Sequence, residues 1–167
     1  MRKPTERIID VNLNRLSEGL KVAEDVIRFA AERPGVLRSI RSLRVRVGRE
    51  TARLRQRVIS NRRSEADPGR AAKFDRTTRK GLADVLSANF RRAEEASRVL
   101  EEILKVAEPA LSGRFKAVRF RLYDLEKRAL CGLDFSTPGS ILATDRITEE
   151  RCPKTKRKPR CQARSAR

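Results

Sequence analysis

The chain contains one helical pattern twice, and this duplication constrains the fold more than any other feature of the sequence. Residues 8–29 (IIDVNLNRLSEGLKVAEDVIRF) and residues 85–106 (VLSANFRRAEEASRVLEEILKV) correspond when one is shifted by 77 positions. The shift aligns an N-x-x-R-x-x-E motif, whose residues are Asn12, Arg15 and Glu18 in the first copy and Asn89, Arg92 and Glu95 in the second. Apolar positions recur at helical spacing in both copies, so each copy predicts one long amphipathic helix.

The motif residues lie on or beside the apolar stripe of each helix. At about 100° per residue, Asn12 projects into the middle of the stripe, Arg15 lies about 60° from it and Glu18 falls at its edge. An amide and a guanidinium that face a core are costly unless they have partners. Two matching sets therefore predict a polar cavity inside a helical bundle, with a purely structural role for these side chains as the alternative. The periodicity places four charged residues on the opposite, solvent-like face of the first helix: Lys21, Glu24, Asp25 and Arg28.

Two further helices complete an all-α fold. The four predicted helices run from a cap at Thr5 to about Glu32, from about 36 to 60, from about 79 to 107 and from about 109 to 131. Pro34 and Pro109 mark the starts of the second and fourth helices. Residues 61–78 form a polar loop with a turn at Asp67–Gly69. The repeat unit is thus a helical hairpin, and two hairpins predict an antiparallel, pseudo-twofold bundle with a pocket near its axis.

Composition excludes several classes of protein. No apolar run approaches the roughly 18 residues of a membrane span, and the N-terminus lacks an apolar signal region, which predicts a cytoplasmic protein. The three cysteines are Cys131, Cys152 and Cys161, and they do not have the spacing of a zinc site. The chain has no histidine, which removes the commonest general base.

The charge divides the chain into a basic body and a more basic end. The formal net charge is +19, and residues 151–167 hold eight Lys and Arg residues without an acid. The remaining 33 basic and 22 acidic residues leave about +11, which favours an anionic ligand such as phosphate. We therefore expect a helical bundle at 1–131, a linker at 132–150 and a disordered basic tail at 151–167.

The two motifs also resemble a known family. D-x-N-x-N-R-x-x-E-G-L-x-V-x-E-D-x-x-R-F and A-N-F-x-R-x-x-E-A-x-R-V-L-E-E-x-x-K are similar to the helical domain fused to the front of many thiamine-phosphate synthases. This domain also exists as a free-standing protein and is assigned as a hydroxymethylpyrimidine-phosphate kinase. The resemblance covers roughly residues 7–128. Residues 140–146 (SILATDR) resemble the first strand of the synthase barrel, but no barrel sequence follows, as in a fusion cut short.

The resemblance implies a reaction and a set of site residues. The reaction is transfer of the γ-phosphoryl group of ATP, with Mg²⁺, to 4-amino-5-hydroxymethyl-2-methylpyrimidine phosphate. Arginines would hold phosphate oxygens and asparagines would pair with the aminopyrimidine; these substrate-binding residues are Asn12, Arg15, Arg44, Arg79, Asn89, Arg92 and Arg119. Glu18 and Glu95 are the catalytic candidates, through Mg²⁺ or by orienting arginines, and simple ion pairing is their alternative role. Arg70 stands after Asp-Pro-Gly where the family usually has threonine.

Two other functions stay open. The chain could be an accessory module that binds the pyrimidine phosphate for a thiamine-phosphate synthase without catalysis. A basic nucleic-acid-binding protein fits less well, because aromatic residues are few and no nucleic-acid motif is present. The sequence leaves open whether two chains pair as a homodimer.

Overall fold

The computed structural model describes residues 3–69 and 78–131, which fold into four α-helices. The helices are α1 (Lys3–Phe29), α2 (Pro34–Val58), α3 (Leu82–Ala107) and α4 (Pro109–Leu130), and a short 3-10 turn, Ile59–Asn61, follows α2. The predicted all-α architecture of two hairpins is confirmed. The predicted linker and tail at 132–167 lie outside the described residues.

The helix ends differ from the predicted ends by a few residues, for local reasons. α1 ends at Phe29 rather than near Glu32, because Glu32 has a left-handed φ of 47° that a right-handed helix cannot include. α2 begins at Pro34 itself. The N–H groups of a helix's first turn have no acceptor within the helix, so a proline, which has no N–H, loses no hydrogen bond there. α3 begins at Leu82, after an extended Gly81, rather than at 79.

The two repeated helices form the centre of the bundle. α1 packs along α3, α2 packs on α1, and α4 packs on α3, whereas α2 and α4 contact each other less extensively. The core between them is aliphatic apart from two phenylalanines. Its largest fully buried side chains are Ile9, Leu13, Leu16, Leu20, Ile27, Ile40, Leu86, Phe90, Leu100, Leu104, Leu122 and Leu125. Each such side chain stabilises the fold by roughly 1.5–3 kcal/mol through removal from water.

α1 and α3 approach most closely at Gly19. A Cβ atom built on Gly19 would lie 2.6 Å from the backbone oxygen of Asn89 and 3.3 Å from the Cβ of Ala93. Any larger residue at position 19 would therefore push the two helices apart. The glycine fixes the distance between the two copies of the motif.

A buried glutamate links the two helices of each hairpin. The expectation that Glu24 lies on a solvent-facing side of α1 was wrong. Glu24 is 4% exposed rather than on a solvent face, and it accepts hydrogen bonds from Arg41 Nε at 2.9 Å and Arg44 Nε at 2.8 Å. Burial alone would raise the pKa of Glu24, but the bonds from both arginines outweigh it and the pKa lies below its usual value. The α2 helix covers this side of α1, so the carboxylate lies between helices instead of in water.

The second hairpin repeats this link with the equivalent residue. Glu101 is 6% exposed and contacts Arg98 of its own helix at 3.2 Å and Arg119 of α4 at 3.0 Å. The Oγ of Ser112 donates to the backbone oxygen of Glu101 at 2.9 Å. The duplication thus extends from the motif to the contacts that hold each hairpin together.

Candidate functional site

The structure places a polar pocket between the two copies of the motif. The pocket has a volume of about 530 Å³ and is lined by Asn12, Arg15, Glu18, Arg92, Glu95, Ala96 and Val99. All of these residues belong to α1 and α3, so the pocket lies on the side of this helix pair that α2 and α4 leave uncovered. Five of the seven are the polar motif residues that the repeat singled out.

The pocket is open to solvent, whereas the sequence predicted a cavity inside the bundle. Arg15, Glu18, Arg92 and Glu95 are all exposed. The apolar stripe of each helix is flanked by polar residues on both sides, and α2 and α4 cover the flank that holds Glu24 and Glu101. The motif flank is therefore left on the outer face.

The charges of the pocket alternate. The antiparallel helices meet where Gly19 contacts the Asn89–Ala93 turn. At 1.5 Å of rise per residue, Arg15 then lies level with Glu95, and Glu18 lies level with Arg92. The four residues form a square with like charges on the diagonals. Such an arrangement offers two cationic and two anionic contacts to one small ligand.

The two asparagines of the motif differ in position. Asn12 is 4% exposed, lines the pocket and donates its Nδ2 to the backbone oxygen of Ile8 at 2.8 Å. Asn89 makes the same bond to the backbone oxygen of Val85 at 2.8 Å, but it is not among the residues that line the pocket. The bond to the preceding turn fixes the Asn12 amide in one orientation and leaves its Oδ1 as an acceptor.

Three of the predicted substrate-binding arginines do not line this pocket. The structure places Arg44 on Glu24 and Arg119 on Glu101, within the hairpins. Arg119 also donates to the Oη of Tyr123 at 3.1 Å. Arg79 lies in the segment that precedes α3 and does not line the pocket. The structure thus brings together Asn12, Arg15, Glu18, Arg92 and Glu95 but not these three.

Sequence reasoning missed a bidentate ion pair next to the site. Asp10 of α1 is 4% exposed and accepts from the Nε and Nη2 of Arg62, both at 2.7 Å. These hydrogen bonds raise the pKa of Arg62, and the charge of Glu18 adds to the effect. The chain after α2 is therefore anchored beside the pocket. The sequence did contain a signal for this ion pair. Polar residues recur once per turn of α1, opposite an arginine-rich helix, at Glu6, Asp10 and Asn14.

A pair of carboxyl groups lies between α3 and α4. Burial raises the pKa of Glu94 to about 7, and repulsion from Glu126 adds to the shift. The Oε1 atom of Glu94 is buried without a hydrogen-bond partner. Glu94 occupies the position of Ser17 in the first repeat, whose Oγ accepts from Arg55 at 3.1 Å. The second hairpin has Leu130 where the first has Arg55, so this carboxyl lacks the matching cation.

The described residues form no site that would bind a metal ion in the absence of a phosphorylated small molecule. Within residues 3–69 and 78–131, no three His, Cys, Asp or Glu side chains cluster as a metal site requires. Glu18 and Glu95 share one pocket, however, and Mg²⁺ commonly binds through one or two carboxylates together with substrate phosphates. The residues present therefore fit Mg²⁺ only as part of a complex with a phosphorylated ligand.

In the part of the chain that the structure describes, fold and site together define a four-helix protein whose two repeated hairpins form a polar pocket with two arginines and two glutamates. None of the described helices is long and apolar enough to cross a membrane. Residues 7–128 match the ThiD2 family, and the chain belongs to that family.

Curated relatives carry a name that indicates a pathway. A thiamine-phosphate synthase of Gloeobacter violaceus is 39% identical over 128 residues, which cover 75% of this chain and 36% of the relative. A thiamine-phosphate synthase of Thermosynechococcus vestitus is 41% identical over 126 residues, covering 72% of this chain and 34% of the relative. The chain thus spans about a third of the length of these relatives. No solved structure matches it significantly.

Proposed function

We propose that this chain acts in thiamine biosynthesis as a helical module that binds 4-amino-5-hydroxymethyl-2-methylpyrimidine phosphate and serves a thiamine-phosphate synthase. The observation that carries the proposal is the pocket in which Asn12 meets Arg15 and Arg92 from both copies of the motif. Family membership and the names of the relatives support the pathway. The pocket volume of about 530 Å³ lies within the ~300–1,000 Å³ of typical small-molecule sites.

Five of the seven lining residues have a chemical role in such binding. Arg15 and Arg92 can donate paired N–H groups to phosphate oxygens, which are among the stronger hydrogen bonds in proteins. The Oδ1 of Asn12 can accept from the exocyclic amine of the pyrimidine, and its second Nδ2 hydrogen can be donated to the adjacent ring nitrogen. Ala96 and Val99 offer an apolar wall to the ring.

A second candidate is phosphoryl transfer to the same ligand. The observation that favours it is the presence of Glu18 and Glu95 beside the two arginines. Bound ATP with Mg²⁺ would supply the γ-phosphoryl group and leave as ADP, the pyrimidine phosphate would become the diphosphate, and Glu18 and Glu95 would hold the metal. Arg15 and Arg92 would neutralise the charge on the transferred group, which is the main demand of phosphoryl transfer. Glu18 or Glu95 would also accept the proton of the attacking phosphate if it is still protonated.

Calorimetric titration of the full chain with the pyrimidine phosphate tests the binding proposal. Arg15→Ala and Arg92→Ala should each weaken binding about 10–100-fold, since a charged hydrogen bond contributes ~1.5–3 kcal/mol. Arg38→Ala is the matched control, because it removes the same charge from the exposed face of α2 and should leave the affinity unchanged. Normal binding by either pocket variant would refute the assignment of the pocket.

A coupled ATP-consumption assay separates the two candidates. Binding without turnover supports the accessory module. Turnover that depends on the pyrimidine phosphate, and that falls in Glu18→Gln and Glu95→Gln, would replace it with the kinase. Absence of both binding and turnover would refute both.

A further inference from the structure

The outer face of the α1/α3 pair carries apolar side chains around its pocket. Ile8 is 38% exposed, and Val11 and Val99 are each 36% exposed. Helical phase places Ile8 and Val11 on the same side of α1 as Arg15. Three more residues of this face are only partly buried: Val22, Val85 and Ile103. Apolar side chains that are exposed together on one face, rather than scattered singly over the surface, are typical of a surface that binds a partner.

The charges at the centre of this face are self-complementary. Arg15 lies level with Glu95 across the helix pair, and Glu18 lies level with Arg92. When the same face is turned over about a twofold axis parallel to the helices, α3 of one copy lies above α1 of the other. The partner subunit's Glu95 then faces Arg15, and the partner subunit's Arg92 faces Glu18. Each charge of the square meets its opposite.

We propose that this face binds a second copy of the chain in a twofold dimer that closes the pocket. A twofold interface uses the same surface on both subunits, so a self-complementary face is what it requires. The net charge of +19 opposes association over most of the surface, such as the outer face of α2 with its exposed arginines. The α1/α3 face is balanced at its centre, so a second basic chain can approach there without net repulsion.

Closure by a second copy would also complete the site. The four charged residues of the pocket are open to water in one chain, and a dimer would enclose them between two sets of the motif. Exclusion of water strengthens hydrogen bonds and ion pairs to a phosphorylated ligand. This part of the inference rests on the proposed function, whereas dimer formation does not.

Sedimentation equilibrium of the full chain without ligand is the first test. We expect a dimer of the 19.1 kDa chain at micromolar concentration. Val99→Lys should raise the dissociation constant at least about a hundredfold, because a twofold interface carries the new charge twice. Val45→Lys is the matched control: Val45 is 54% exposed on α2, away from this face, and its substitution should leave the dimer intact. Circular dichroism checks that both variants remain helical.

A charge exchange tests the pairing itself. Arg15→Glu should weaken the dimer because it places a glutamate opposite the partner subunit's Glu95. Adding Glu95→Arg should restore the dimer, because opposite charges then face each other again. Failure of the double variant to restore the dimer would overturn the pairing. A wild-type chain that stays monomeric, or a dimer that Val99→Lys leaves unchanged, would overturn the proposal as a whole. A dimer that binds no pyrimidine phosphate would support this inference while refuting the proposed function.

Discussion

Replacement of Gly19 by alanine tests the close contact that sets the spacing of the two motif helices. The added Cβ would lie 2.6 Å from the backbone oxygen of Asn89, about 0.8 Å inside the 3.4 Å at which ordinary contact begins. The oxygen belongs to the backbone of α3 and cannot rotate away, so the helices must move apart. We therefore expect Gly19→Ala to destabilise the fold.

The magnitude follows from two opposing effects. Overpacking of a core typically costs ~1–3 kcal/mol, and the rigid backbone obstacle favours the upper end. Alanine in place of glycine inside a helix stabilises by about 1 kcal/mol. The net loss is therefore about 2 kcal/mol, or a decrease in Tm of roughly 8 °C for a domain of this size.

Chemical denaturation followed by circular dichroism measures the free energy of unfolding directly. Gly48→Ala is the matched control, because Gly48 is an exposed residue of α2 with no neighbouring atom within 4 Å of the added Cβ. It should stabilise the protein by ~0.5–1 kcal/mol, so the two substitutions should act in opposite directions. A Gly19→Ala protein as stable as the Gly48→Ala protein would refute the close approach of α1 and α3.

Three further substitutions test other contacts. Arg119→Ala should lower the free energy of unfolding by ~2 kcal/mol, because it leaves the buried Glu101 with one cation. The same substitution should not change the affinity for the pyrimidine phosphate in calorimetry. The pKa of Glu94 is raised to about 7, so between pH 4.5 and 7 the folded state binds more protons than the unfolded state, and the free energy of unfolding should fall as pH rises through this range. Glu94→Gln should flatten that decline in denaturation curves measured across the same range. Asp10→Ala should free Arg62 and speed tryptic cleavage at that residue by at least about tenfold, and an unchanged rate would contradict the anchoring role of this pair.

The sequence by itself determined the elements and the pairing of the two motifs. Apolar spacing and the prolines at 34 and 109 depend only on local geometry, and they placed four helices to within a few residues of their observed ends. The 77-residue repeat indicated that Arg15 and Arg92 occupy equivalent positions, and the structure brings them to one pocket. Repetition carried this information because equivalent sequences fold into equivalent hairpins.

Only the tertiary structure decided which flank of each repeated helix is covered. A helical wheel shows that Arg15 and Glu24 lie on different sides of the apolar stripe, but both sides border the stripe and either could face a second helix. α2 covers the side of Glu24, because two arginines of that helix satisfy its carboxylate. The motif is consequently exposed in an open pocket, and Gly19 permits the close approach of α1 and α3. These outcomes depend on contacts between residues far apart in the chain, which no local pattern specifies.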